Sequence, residues 1–209
     1  MIFTIFVVIL AAGLFLPLFI FGNNPGVDFW WWMTANITIL LLIAGFFDKN
    51  WRKSIAADLR NDLTKKISLG VGSAILLYGG FLLGDQLAQL LFPFAKDGID
   101  GVYAFKSTAS PIRIGVLMLV IIGPGEELFW RGFVQRRLQN EINPRGGFIL
   151  ATIVYSAIHI ASGNLILVLA AAVCGVFWGY LYLRYNSILL NVISHTIWDI
   201  LIFLILPIQ

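Results

Sequence analysis

The chain has only two histidines, His159 and His195, and both sit inside long apolar runs. Each has a polar partner four residues away: Tyr155 precedes His159, and Asp199 follows His195. A third stretch supplies Glu126, Glu127 and, four residues after the second glutamate, Arg131. A spacing of four puts two side chains on one face of a helix. Glu127 and Arg131 are therefore neighbours. Glu126 points about 100° away around a helix of 3.6 residues per turn. The pattern predicts that Arg131 holds Glu127 while Glu126 faces elsewhere. Gly123-Pro124-Gly125 comes just before the acidic pair. Proline removes a helix hydrogen bond and kinks the helix, which opens backbone at membrane depth where a cavity can use it.

These residue types suit peptide hydrolysis, which needs an activated water, a polarised carbonyl and a proton for the leaving amine. Glu126 reads as the base acting on water, with His159 helping to position it. A second account stays open at this stage. Glu126, His159 and His195 form a donor set that suits zinc or another divalent metal with a free position for water. The two histidines are too far apart in the chain for a His-Glu-x-x-His site. A serine nucleophile is not indicated, because there is no Gly-x-Ser motif. The aspartyl type needs Tyr-Asp and Gly-x-Gly-Asp, and Gly84-Asp85 lacks the first glycine.

The surroundings of these residues are those of a membrane protein. Of 209 residues 59% are hydrophobic and 12% charged, more apolar surface than a soluble domain can bury. Runs of about 20 apolar residues mark membrane-spanning helices. Seven are expected, near 1–22, 28–47, 67–92, 111–135, 146–162, 164–183 and 187–207. The fold class expected is all-α, polytopic, in one integral domain. Residues 1–110 supply N-terminal helices and a basic loop, and 111–209 carry the catalytic region. The first span reads as a retained helix, not a cleaved leader. One cysteine, Cys174, leaves no intrachain disulfide to form and reads as a small buried residue. Trp30, Trp31 and Trp32 open the second span and read as an interfacial aromatic belt. Asp85 lies outside the three motifs, near the end of its span, and reads as structural or interfacial.

Segment 48–66 carries six basic residues and spaces Trp51, Ile55, Ala56, Leu59 and Leu63 as an amphipathic helix would. A solvated basic loop is the plain alternative. With this segment on the cytoplasmic side, eleven of the 14 lysines and arginines fall on that side. Only Lys96, Lys106 and Arg113 fall on the other. The turn at Arg145 is then cytoplasmic and loop 93–110 external. The net charge of +3 is explained by this sorting, and no nucleic-acid partner is expected.

Ionisable side chains in lipid are costly and mark function by default. A single buried histidine or glutamate is often only a packing group. Five such residues on three spans are not. Here the chain resembles the CPBP family, the intramembrane proteases related to type II CAAX prenyl endopeptidases and bacterial Abi proteins. The family pattern is Glu-Glu-x-x-x-Arg, then Phe-x-x-x-His, then His-x-x-x-Asn or Asp. This chain has Glu126-Glu127-Leu-Phe-Trp-Arg131, Tyr155-Ser-Ala-Ile-His159 and His195-Thr-Ile-Trp-Asp199, in that order. The resemblance covers roughly residues 111–200. It implies catalytic roles for Glu126, His159, His195 and Asp199, supporting roles for Glu127, Arg131 and Tyr155, and an oxyanion site at His195 and residue 199. An asparagine there could donate a hydrogen bond, but an ionised Asp199 cannot. The expectation is that Asp199 accepts from a ring nitrogen of His195 and orients it. The family has been described both as glutamate-activated and as metal-dependent.

The expected function is therefore an intramembrane endopeptidase acting on a CAAX-type or other membrane-associated peptide, in a bacterial or archaeal cell membrane. Tyr155 replaces the family phenylalanine, and nothing in the sequence specifies a prenylated substrate. Two other classes remain: a non-proteolytic immunity or scaffold protein, and a proton-coupled transporter.

Overall fold

A computed structural model describes residues 1–24 and 26–208, and among them there is no strand. The helices are α1 (Ile2–Phe21), α2 (Phe29–Phe47), α3 (Lys49–Asp58), α4 (Leu63–Leu91), α5 (Ala95–Ala104), α6 (Pro111–Leu117), α7 (Gly123–Phe129), α8 (Arg136–Glu141), α9 (Pro144–Ile158), α10 (Leu165–Tyr185) and α11 (Ile188–Ile200). Side-chain caps set several starts. Asp28, Asn143, Asn164 and Ser187 each accept a backbone N–H from the first turn that follows. Pro144 occupies the first turn of α9, where its missing N–H costs nothing. The αL residue Asn186 ends α10.

Six helical segments among the described residues are long and apolar enough to cross a membrane. The seventh expected span, 111–135, is built differently. Residues 111–141 form a continuous rod in which α6, α7 and α8 are joined by two π-helical segments, Met118–Ile122 and Trp130–Gln135. The first π segment directly precedes Pro124, so the wider turn absorbs the hydrogen bond that proline cannot make. A third π segment, Leu201–Ile205, continues α11.

Polar contacts sort the loops into two ends of the bundle. At the first, Asp48 pairs with Arg136 at 2.6 Å and Arg137 at 3.2 Å, Thr4 donates to Glu141 at 2.8 Å, and Asp58 accepts from the Leu189 N–H at 2.8 Å. At the second, Arg113 pairs with Asp28 at 2.6 Å, and Asn164 donates to the Gly98 carbonyl at 2.7 Å. The Tyr103 hydroxyl donates there to the Ile202 carbonyl at 2.9 Å. Successive spans thus alternate in direction, and α4 and α11 run parallel.

Segment 48–66 becomes the short helix α3, while Lys65 and Lys66 fall in the first turn of α4. What anchors α3 is protein. Trp51 is buried, and its indole N–H donates to the Leu128 carbonyl at 3.1 Å, just before the second π segment. The tryptophan triplet also departs from the expected belt. Trp31 is exposed, but Trp30 is buried and donates to the Phe105 carbonyl at 3.0 Å. One hundred degrees per residue cannot keep three successive rings on one face. Residues before and after 110 share one hydrophobic core, in which Phe15, Ile37 and Phe133 are buried together.

Candidate active site

Two close approaches let the rod carry its acidic pair into the bundle. A Cβ on Gly123 would meet Thr196 Oγ1 at 2.8 Å, and one on Gly125 would meet Ile37 Cγ1 at 2.8 Å. Glycine at both positions allows α7 to press against α11 on one side and α2 on the other. Glu126 and Glu127 arrive between them, both buried.

The two carboxylates meet opposite surroundings. Glu127 is fully enclosed and receives three donors. Arg131 Nη1 donates to its Oε1 at 2.8 Å, His195 Nδ1 lies 2.7 Å from the same oxygen, and Asn191 Nδ2 donates to Oε2 at 3.0 Å. Only an acceptor satisfies all three, so Nδ1 of His195 carries a proton. Arg131 is also held by the Cys174 carbonyl at 3.4 Å and lies over the Tyr155 ring, 4.7 Å from its centroid. It is 2% exposed, deep in the bundle and not at an inner face as its charge alone implied.

Glu126 has no such company. Nε2 of His195 lies 3.6 Å from its Oε2, beyond hydrogen-bond range. Asp199 Oδ1 lies 3.6 Å from that same nitrogen. The expected arrangement is therefore corrected. Glu127, not Asp199, accepts from a ring nitrogen of His195. Asp199 and Glu126 share the other edge of the ring. The ring itself is stacked on Trp178, with centroids 3.7 Å apart and planes 19° apart. Trp178 is fixed in turn by its N–H to Ser194 Oγ at 3.1 Å, and Ser73 of α4 donates to the same oxygen at 3.0 Å.

His159 comes from the end of α9, where the helix tightens into a 3₁₀ turn. Its Nδ1 lies 2.9 Å from the Tyr155 carbonyl. A carbonyl only accepts, so Nδ1 is the protonated nitrogen and Nε2 is free to accept. Phe19 and Tyr155 pack on the ring.

One cavity of about 520 Å³ connects these groups: Glu126, Tyr155, His159, His195 and Asp199 all line it. Glu127 and Arg131 do not, because they lie behind His195. The rest of the wall is mainly apolar and runs toward the second end of the bundle, under α5. Leu87 and Leu91 of α4 and Leu169 and Val173 of α10 line the cavity and are also exposed, so it opens sideways between those helices.

Residues 108–201 match the family model described as type II CAAX prenyl endopeptidase Rce1-like. Over this stretch the chain is similar to the CAAX-type proteases. Comparison with curated proteins and with solved structures gives no match. The matching stretch contains Glu126, Glu127, Arg131, Tyr155, His159, Asn191, His195 and Asp199. The fold is that of a multi-pass membrane protein, in keeping with an intramembrane protease family.

Among the described residues no three His, Cys, Asp or Glu side chains stand together so as to hold a metal ion. His195 commits Nδ1 to Glu127 and keeps Nε2 toward Glu126 and Asp199, and no step below is routed through a metal.

Sequence reasoning had overlooked Asn191, Trp178 and Ser194. Asn191 was within reach, since Asn191, His195 and Asp199 repeat at a spacing of four along one face of α11.

Proposed function

We propose that the chain is an intramembrane endopeptidase that hydrolyses a peptide bond with a water activated by Glu126. One observation carries this reading: two adjacent buried carboxylates, one saturated by Arg131, His195 and Asn191, the other facing a cavity without a donor. Paired carboxyl groups in divergent environments are how a site separates a structural anion from a working base.

Glu126 takes a proton from water, and the hydroxide attacks the carbonyl carbon of the substrate. His159 accepts the second hydrogen of that water at Nε2, which fixes its direction. His195 presents Nε2–H to the oxygen on which charge develops. Glu127, on the opposite edge, holds the ring and favours the proton there. Asp199 beside Nε2 favours that proton too, which gives it a role other than the donor role of an asparagine. Glu126 then returns its proton to the leaving amine as the carbon–nitrogen bond breaks.

The sorting of basic residues supports a cytoplasmic first end, with segment 48–66 and Arg145, and an external loop 93–110. Removing Arg131, which is buried at the site, leaves ten basic residues at that end against three. Cysteine labelling of the two loops in intact cells tests this, and labelling of 48–66 alone would invert it. The substrate is a membrane-associated peptide chain, CAAX-type or other. Comparative membrane proteomics of wild type and Glu126→Ala tests the activity. A new peptide terminus present only in wild type is expected, and identical termini would contradict a protease.

A further inference from the structure

Asp85 was left without a task by its sequence position. It lines the same cavity as Glu126, His195 and Asp199, on the wall formed by α4. Its hydrogen-bond partner is the Gln89 amide one turn further on, at 2.8 Å, and no cation pairs with it among the described residues. Gly80 and Gly84 lie on the same wall, and a Cβ at either would meet nothing within 4 Å, so the space beside Asp85 is open. A carboxylate on an apolar wall within a membrane span is expensive unless something positive comes to it.

Resting on the protease reading above, we propose that Asp85 is a subsite for a lysine or arginine side chain of the substrate. The parallel run of α4 and α11 gives its register. Ser73 meets Ser194, and Phe81 packs on Trp198 with ring centroids 4.8 Å apart. Counting about 1.5 Å per residue from those two contacts puts Asp85 roughly 5–10 Å beyond Asp199, toward the second end. An extended chain covers that in about two or three residues. The cation therefore belongs two or three residues from the cleaved bond, on the part of the substrate nearer α5. An acidic group at that place would be repelled.

The test is binding, so that it does not depend on turnover. A fluorescent leucine-alanine peptide with a single lysine, and its norleucine twin, are titrated into Glu126→Gln protein in nanodiscs. The lysine peptide should bind roughly tenfold more tightly, within the range for a charge-assisted contact. Adding Asp85→Asn should remove the preference, and adding Asp85→Lys should transfer it to a glutamate twin. Thermal stability shows that both variants remain folded. Equal binding of the twins, a preference that survives Asp85→Asn, or no binding of either peptide would overturn the subsite. Cleavage of the lysine peptide by wild type but not by Glu126→Gln is scored separately, because it tests the protease reading and not Asp85.

Discussion

The polar lock behind His195 and the cavity in front of it differ in almost every physical respect. Behind the ring, Arg131 and Asn191 both donate to a fully enclosed Glu127. In front, Glu126 and Asp199 face a 520 Å³ space and find no donor at hydrogen-bond distance. Two residues adjacent in sequence thus sit on opposite sides of one imidazole. The lock fixes the ring, and what the lock leaves unsatisfied does the chemistry. A buried charge network contributes little net stability in itself, yet losing one member is costly because the others are stranded.

The largest effect on stability should come from breaking the lock. Glu127→Gln or Arg131→Ala leaves an uncompensated charge in the core and should cost about 3–5 kcal/mol. The complete burial of both side chains removes any discount for solvent. The double variant should lose less than the two single losses combined, which thermal unfolding in detergent would measure. Additive losses would mean that the pair is not coupled.

A smaller effect is expected at the first end, where charges meet water. Burial opposes the charge of Asp48, but the Trp51 N–H and the guanidinium groups of Arg136 and Arg137 outweigh it and hold its carboxyl below the usual range. The stability this lends is present above the unfolded-state value of about 3.9. It is lost as the pH falls through the lower folded-state value. Asp48→Asn should cost about 1–3 kcal/mol at neutral pH. Its difference from wild type should shrink on acidification, whereas a constant difference would point to shape alone.

The smallest effect tests the ring stack. Trp178→Phe keeps an aromatic face on His195 and loses the bond to Ser194, for about 0.5–1.5 kcal/mol. Trp178→Leu also loses the stack and should lower turnover further than Trp178→Phe does. Equal turnover in the two would make the stack irrelevant to chemistry.

Much of this was legible in the sequence. Apolar run lengths marked the spans, and the spacing of four predicted the pairing of Glu127 with Arg131. Periodicity failed where the helix is not an α-helix. Nothing in the residues 118–122 or 130–135 announces a π turn, although Pro124 hinted that the rod would depart from regularity. Contacts between distant elements were also hidden. Glu127 meets His195 and Asn191 across 68 and 64 residues of chain, so the assignment of Asp199 as the partner of His195 relied on the local spacing and chose wrongly. Trp30 and Trp51 looked interfacial because their rings suit an interface, yet each found a buried carbonyl for its N–H. Asp85 looked peripheral because sequence gives depth along a helix and not the cavity beside it.

The division between the carboxylates is the central claim, and one paired measurement reaches it directly: thermal stability and substrate cleavage for Glu126→Gln beside Glu127→Gln. Glutamine keeps the shape of glutamate and loses only its basicity and charge. Glu126→Gln should melt close to wild type while cleavage falls by about 10²–10⁴, the usual share of a general base. Glu127→Gln should melt lower first, with cleavage lost as the fold loosens. An active Glu126→Gln enzyme would contradict the mechanism, and a fully stable but inactive Glu127→Gln would exchange or merge the two roles.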